Sequence, residues 1–449
     1  MPIPAATISR EAAAPGAAAA PRPDATEWRE GEADQLTRWI GLQSPTALRH
    51  AAALRPFRRD EFGSAAEAPS DGHLEAANAL TGDLRRNVLA MSREIARASR
   101  AAARAPDRAS LARLLASREA MLNWVRRAED IWSFYLELFG QRQSRFGPML
   151  LACDRIALDC YQYVYTGIGR ARPVPSPAPF CYMETQSGPA TWRRGIAMAK
   201  LGRRPNPFPL IQLPHHRLVN PWTLGAVLHE SGHNLQSDLG LWQAVPLAIA
   251  RRLLEAGLSP AIAKTWARWH QETWADLVAV LLGGPEIVAS LMDVTARSVR
   301  STQRFDPKGV HPTPWLRIPI NIELLRRMGF EERARGFRQA WDRLYPPPAP
   351  GTIPRALLDT FPRACEVAVD AIAFQPFAQL GGRSLAGSVR FEARDQGLVE
   401  EAARRLAESR DPGIVPAIFL VGAARHAADR RWAPPGTIAR NFYRALVRR

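Results

Sequence analysis

Two histidines four residues apart, with a glutamate beside the first, form the sequence His229-Glu230-Ser231-Gly232-His233 inside the stretch Leu224 to Gly240. On an α-helix, residues four apart lie one above the other, so both imidazoles can reach a single ion while Glu230 borders its open side. A zinc ion with three protein ligands keeps one position for water and lowers that water's pKa, and a nearby carboxylate can then take the proton. The expectation is therefore a helix carrying His229 and His233 as Zn2+ ligands, with Glu230 as general base. The pattern is short, and chance supplies it in roughly one chain in a hundred of this composition, so its surroundings must decide.

Asn220 reads as an N-cap and Pro221 as the first helical position, with Gly240 closing the segment. Leu224, Val227, Leu228 and Leu235 supply apolar contacts, and Gly232 permits another element to approach closely. A second helix is signalled from Ser259-Pro260 to Gly283-Gly284, and within it Glu272 and Asp276 share one face. Trp274, Leu277, Val278, Val280, Leu281 and Leu282 predict that this helix is buried, where unpaired acids are costly. Glu272 is thus the third ligand expected, and Asp276 the acid that accepts an imidazole N–H and fixes its tautomer. His270 turns to nearly the opposite face from Glu272, and His215 and His216 read as loop histidines.

These motifs resemble those of the gluzincin metallopeptidases, most closely the M48 family, whose members include CAAX-processing and heat-shock membrane proteases. The family pairs its H-E-x-x-H helix with an E-x-x-A-D motif, matched by Glu272 to Asp276, and often has an acid where Asp238 stands. It also carries a downstream T-H-P-x-x-x-x-R-like element, matched by His311-Pro312 to Arg317 except that Val310 replaces the threonine. The resemblance implies that His311 and Arg317 border the active site, where a donor would stabilise an oxyanion; Arg317 pairing with a buried acid is the other reading. The similarity covers Pro209 to Met328 and does not include the transmembrane helices of well-known family members. A metzincin would need glycine and histidine where Gln236 and Leu239 stand, and the aminopeptidase element G-x-M-E-N has only an echo in Cys181 to Thr185. An endopeptidase acting on a peptide or protein substrate follows.

The remaining chain reads as mainly α (α+β): a zincin-like catalytic core with a small sheet, flanked by helical N- and C-terminal regions. An Ala/Pro-rich tail over residues 1–25 is expected to be disordered, followed by a helical region over 26–172, the core over 173–345 and a helical region over 346–449. The aromatic stripe Trp132, Tyr135 and Phe139 reads as core packing. The proline-bounded run Phe208 to Pro214 reads as an edge strand able to pair with an extended peptide.

The net charge of +17 invites a nucleic-acid partner, but only three of the 60 basic residues are lysines, and the arginines are scattered without a basic run. That pattern suits a GC-rich coding bias better. The four cysteines have no metal or disulfide spacing and are expected to be buried thiols. No secretory signal or membrane span is legible, which makes the cytoplasm the default expectation and leaves non-classical export open. The alternatives to a peptidase are a metal-bearing, non-proteolytic interaction protein and a basic nucleic-acid-binding protein.

Overall fold

The structure is a computed structural model that describes residues 30–63, 65–169, 173–185 and 188–448. The expected tail over 1–25 lies outside these residues. The fold is 70% helical and 5% strand, so it is mainly α with one small mixed sheet. Among the described residues no helix is long and apolar enough to cross a membrane.

Four helices come first: α1 (Glu30–Ala53), α2 (Asp71–Arg104), α3 (Arg108–Gly140) and α4 (Gly147–Ile168). Strands β1 (Phe180–Met183), β2 (Ala190–Trp192), β3 (Ala197–Met198), β4 (Arg204–Pro205) and β5 (Leu210–Leu213) follow. Next are α5 (His215–Leu218), α6 (Gly225–Asp238), α7 (Ala244–Glu255), α8 (Pro260–Arg268), α9 (His270–Gly283), α10 (Pro285–Thr295) and α11 (Val299–Thr302). The chain ends with α12 (Pro314–Arg327), α13 (Glu331–Leu344), α14 (Arg355–Val369), the ladder β6 (Pro376–Phe377) with β7 (Arg383–Ser384), α15 (Leu385–Ser388), α16 (Ala393–Ala407), α17 (Ala417–Asp429) and α18 (Pro435–Val447).

Two compact units result. One contains the described residues up to Ala52 together with Val88–Leu122; the other contains Ala53–Asn87 and Asn123–Arg449. These divisions do not coincide with the expected boundaries after residues 172 and 345. In the larger unit, α4 packs on α6, while α17 packs on α4, α9 and α10, so sequence-distant helices share one core. The aromatic stripe lies in this unit: Trp132 stacks on Phe57 at 5.4 Å and Phe139 meets Phe57 edge-on at 5.9 Å. All four cysteines are buried and free.

The sheet has the order β1-β5-β2, with β1 parallel and β2 antiparallel to β5. The expected edge strand is therefore central. Its prolines, Pro209 and Pro214, flank Leu210–Leu213, leaving the intervening N–H groups available to pair on both sides. The outer side of β1 is closed by side chains: Gln141 bonds both the N–H and C=O of Met183, and Asp154 and Arg142 do the same for Cys181. The edge beside the metal motif is β2, tied to α6 by a 2.8 Å hydrogen bond from Asn234 Nδ2 to Thr191 Oγ1.

The histidine helix is shorter than expected. Pro221–Thr223 forms a separate 3-10 turn and α6 starts at Gly225, where a side chain would collide with Ser290. Asn220 does not cap it with its side chain; Gly240, at φ 72°, does close it. The second expected helix divides at Trp269. Ser259 and Pro260 start α8 as anticipated, but α8 packs on α7 whereas α9 packs on α6, and the buried Trp266 and Trp269 occupy the change of direction.

Helices α6 and α9 touch through backbone. A Cβ on Gly232 would lie 2.9 Å from Ala275 Cα, and Trp274 Nε1 donates to Gly232 O at 3.0 Å. On the far side of α9, buried Glu286 of α10 joins Arg333 of α13 (2.6 Å), Gln396 of α16 (3.2 Å) and His426 of α17 (3.0 Å). Burial opposes its charge, but His426 and Arg333 outweigh burial and hold its carboxyl below the usual glutamate range.

Two outcomes follow. Gly232→Ala should destabilise the protein by about 1–3 kcal/mol, because backbone rather than a flexible side chain must move; urea unfolding measures this, and an unchanged midpoint would contradict the close approach. The folded pKa of Glu286 is depressed, so its stabilising contribution is present above the unfolded glutamate value and lost as pH falls through the folded one. Glu286→Gln should therefore weaken the fold at neutral pH and flatten the acid limb of its stability profile, and an acid limb identical to that of the parent would speak against the role.

Candidate metal centre

The contact between α6 and α9 brings three donors together. His229 Nε2 and His233 Nε2 are 3.1 Å apart, and each lies 3.4 Å from a different carboxylate oxygen of Glu272. Among the described residues these three form the one cluster with metal-ligand spacing. They are supplied by adjacent turns of α6 and the first turn of α9, where a carboxylate also opposes the positive end of the helix dipole.

Behind the donors lies a braced second layer. Asp276 Oδ1 is 2.8 Å from His229 Nδ1, the ring nitrogen that faces away from the cluster. Arg317 of α12 grips Asp276 with two hydrogen bonds, Nε to Oδ2 at 2.9 Å and Nη2 to Oδ1 at 2.7 Å, and its Nη2 is 3.7 Å from Glu272. Arg317 thus pairs with a buried acid, as one of its two readings has it, and it also lines the cleft beside the cluster, as the other requires. Its bidentate geometry locks both partners. His311, on the loop before α12, brings Nε2 within 3.3 Å of Glu272 Oε1 and remains 63% exposed at its side chain, so it borders the cluster from the solvent side.

Charge and burial set the protonation of this group. Burial disfavours imidazolium at His229, but Asp276 and Glu272 outweigh it and push its pKa up to about 10. Burial dominates at His233 and drives it down to about 3, and at Glu230 it drives the carboxyl up to about 7. Glu272 is disfavoured by burial yet held well below the usual range by His233, His229 and Arg317. The Glu230 carboxylate makes no hydrogen bond among the described residues and faces the same cleft.

That cleft has a volume of about 390 Å³. Ala226, Ala279, Val280, Ile287, Leu291 and Val294 give it an apolar lining, and Ala190 and Thr191 of the edge strand, Arg193 and Trp242 also line it. All seven residues singled out in the sequence line it. The remaining sequence assignments separate from it. His215 and His216 are exposed on α5; Asp238 accepts from Tyr161 Oη at 2.9 Å and meets Arg194 at 3.7 Å; His270 pairs with Gln236 instead of joining the donors. Arg193 and Trp242 carried no signal in the sequence, because neither belongs to a spaced motif and they meet only through folding.

No protein-family model, curated protein or solved structure matches the chain. Removing Arg317 would leave Asp276 and Glu272 as buried, uncompensated acids. Arg317→Met should reduce stability by roughly 3–5 kcal/mol, with Arg317→Lys recovering only part because it cannot grip both oxygens; equal melting temperatures for the two variants and the parent would refute the bracing role.

Proposed function

We propose that this chain is a zinc-dependent metallopeptidase of the gluzincin type, similar to the M48 family, and that it cleaves peptide bonds internally. The observation carrying this reading is the convergence of His229, His233 and Glu272 with Glu230 beside them. The donor set fits the metal: tetrahedral zinc with bonds near 2.0–2.1 Å needs donors about 3.3–3.4 Å apart, and the separations here are 3.1, 3.4 and 3.4 Å. The carboxylate behind His229 supports it too, since ligand histidines usually hand their second nitrogen to such a partner. Two imidazoles and a carboxylate would hold the ion and leave one position open.

When bound, zinc would polarise the peptide carbonyl and acidify a water molecule. Glu230 is the base that receives the water's proton and returns it to the leaving amine. Its unshared carboxylate and burial suit a group that must change protonation during each cycle. Exposed His311, at the solvent side of the cluster, offers an N–H toward the developing oxyanion. Arg317 acts on the donors through Asp276 and Glu272, as a positioning residue. The edge of β2 offers backbone groups for an extended peptide, and the apolar lining of the cleft accommodates a hydrophobic side chain next to the cleaved bond.

The decisive comparison is between metal content and cleavage of an unfolded protein substrate. Purified protein should carry one zinc per chain, which His233→Ala and Glu272→Ala lose. Glu230→Gln should retain zinc while cleavage falls about 100-fold or more. Protein without zinc after metal loading, or undiminished cleavage by Glu230→Gln, would overturn the reading; zinc retained without cleavage in the parent would favour a metal-bearing interaction protein.

A further inference from the structure

Arg193 follows directly on the edge strand β2 and lines the cleft together with Trp242. Its guanidinium carbon lies 3.5 Å from the centre of the Trp242 ring. Trp242 in turn meets His270 edge to face, with centroids 5.1 Å apart and rings at 78°. His270 Nδ1 is 3.0 Å from Nε2 of Gln236, a buried residue of α6. The stack is thereby fixed to the helix that carries His229 and His233.

The neighbouring arginine shows what an engaged guanidinium looks like in this segment. Arg194 donates to the carbonyls of Ser176, Pro177 and Pro207 and approaches Asp238. Arg193 has none of this: among the described residues its guanidinium makes no hydrogen bond and lies within ion-pair distance of no carboxylate. Burial lowers its pKa with no acid nearby to oppose the shift. A half-buried, unpaired charge is unfavourable unless it has another purpose. The other arginine of the cleft, Arg317, is already committed to Asp276 and Glu272.

A guanidinium held over an indole through its carbon keeps N–H groups free, in the fork that matches the two oxygens of a carboxylate. We propose that Arg193, held on Trp242, is a carboxylate-recognising subsite, so that the preferred substrates are peptides with an acidic side chain near the cleaved bond. The inference rests on the peptidase reading, from which it takes the nature of the ligand. The acids Glu230, Glu272 and Asp276 line the same cleft and disfavour an anion at its centre. A substrate carboxylate is thus drawn to Arg193 and kept from the donors, which fixes the peptide's register.

The test uses the full zinc-loaded chain and a fluorogenic peptide library in which one position at a time is Glu or Gln and the C-terminus is carboxylate or amide. One position should show a Glu over Gln preference in kcat/KM of about 10-fold or more, as a charge-assisted bidentate contact implies. A contrast that instead separates acid from amide C-termini would overturn the acidic-side-chain subsite together with the reading of internal cleavage. Arg193→Gln should abolish the ratio, while Arg193→Lys should keep a fraction of it; zinc content and melting temperature establish that both variants are folded. Cleavage with no such preference, or a preference that survives Arg193→Gln, overturns the subsite and leaves the peptidase reading standing. If no peptide is cleaved, the peptidase reading itself fails, and anisotropy of a labelled Glu-containing peptide decides the subsite: equal affinity for parent and Arg193→Gln overturns it, and weaker binding to the variant upholds it.

Discussion

The distance between two helix backbones governs the site. Gly232 lets α6 approach Ala275 of α9 so closely that no side chain fits between them, and the indole N–H of Trp274 fastens the contact from the other direction. At that separation the imidazoles of one helix and the carboxylate of the other end within ligand distance of a common point. A spacing larger by one methyl group would move Glu272 away from both histidines at once. Helix α12 then braces the pair from behind, because Arg317 grips Asp276, and Asp276 faces the outer nitrogen of His229.

Electrostatics and packing are coupled in this arrangement. Three carboxylates, Glu230, Glu272 and Asp276, occupy a buried space that contains one arginine. Desolvation is severe for each, and their mutual repulsion adds to it. The high pKa values of Glu230 and His229 express the same imbalance, which protons or a divalent cation can offset equally. Such a concentration of buried acids is costly as pure scaffold, and this supports the proposed reading of the cluster as a place for a cation.

The motif-bearing residues were legible because their spacing is set by helix geometry. His229, His233, Glu272 and Asp276 each follow from the four-residue repeat, and the buried character of α9 follows from its unbroken apolar run. What escaped was set by tertiary structure. The central place of β5 depends on β2 arriving from the other side, and prolines at its ends looked the same for an edge strand. The bend at Trp269 has no proline or glycine to announce it; two indoles must be buried, and α8 and α9 turn to different partners to bury them. From the C-terminal region, His426 and Gln396 both reach Oε1 of Glu286 on α10, a meeting that no local pattern announces. The Arg193–Trp242 stack is invisible to any local pattern.

Helix α9 is buried from Glu272 to its end, and one of its faces lines the cleft. Its amide protons are therefore shielded by the whole core, and they can exchange with solvent only when that core opens. The lifetime of the ligand cage is in this way the lifetime of the fold. An ion bound as proposed would enter through the cleft to donors already placed, so that binding would require little ordering of side chains.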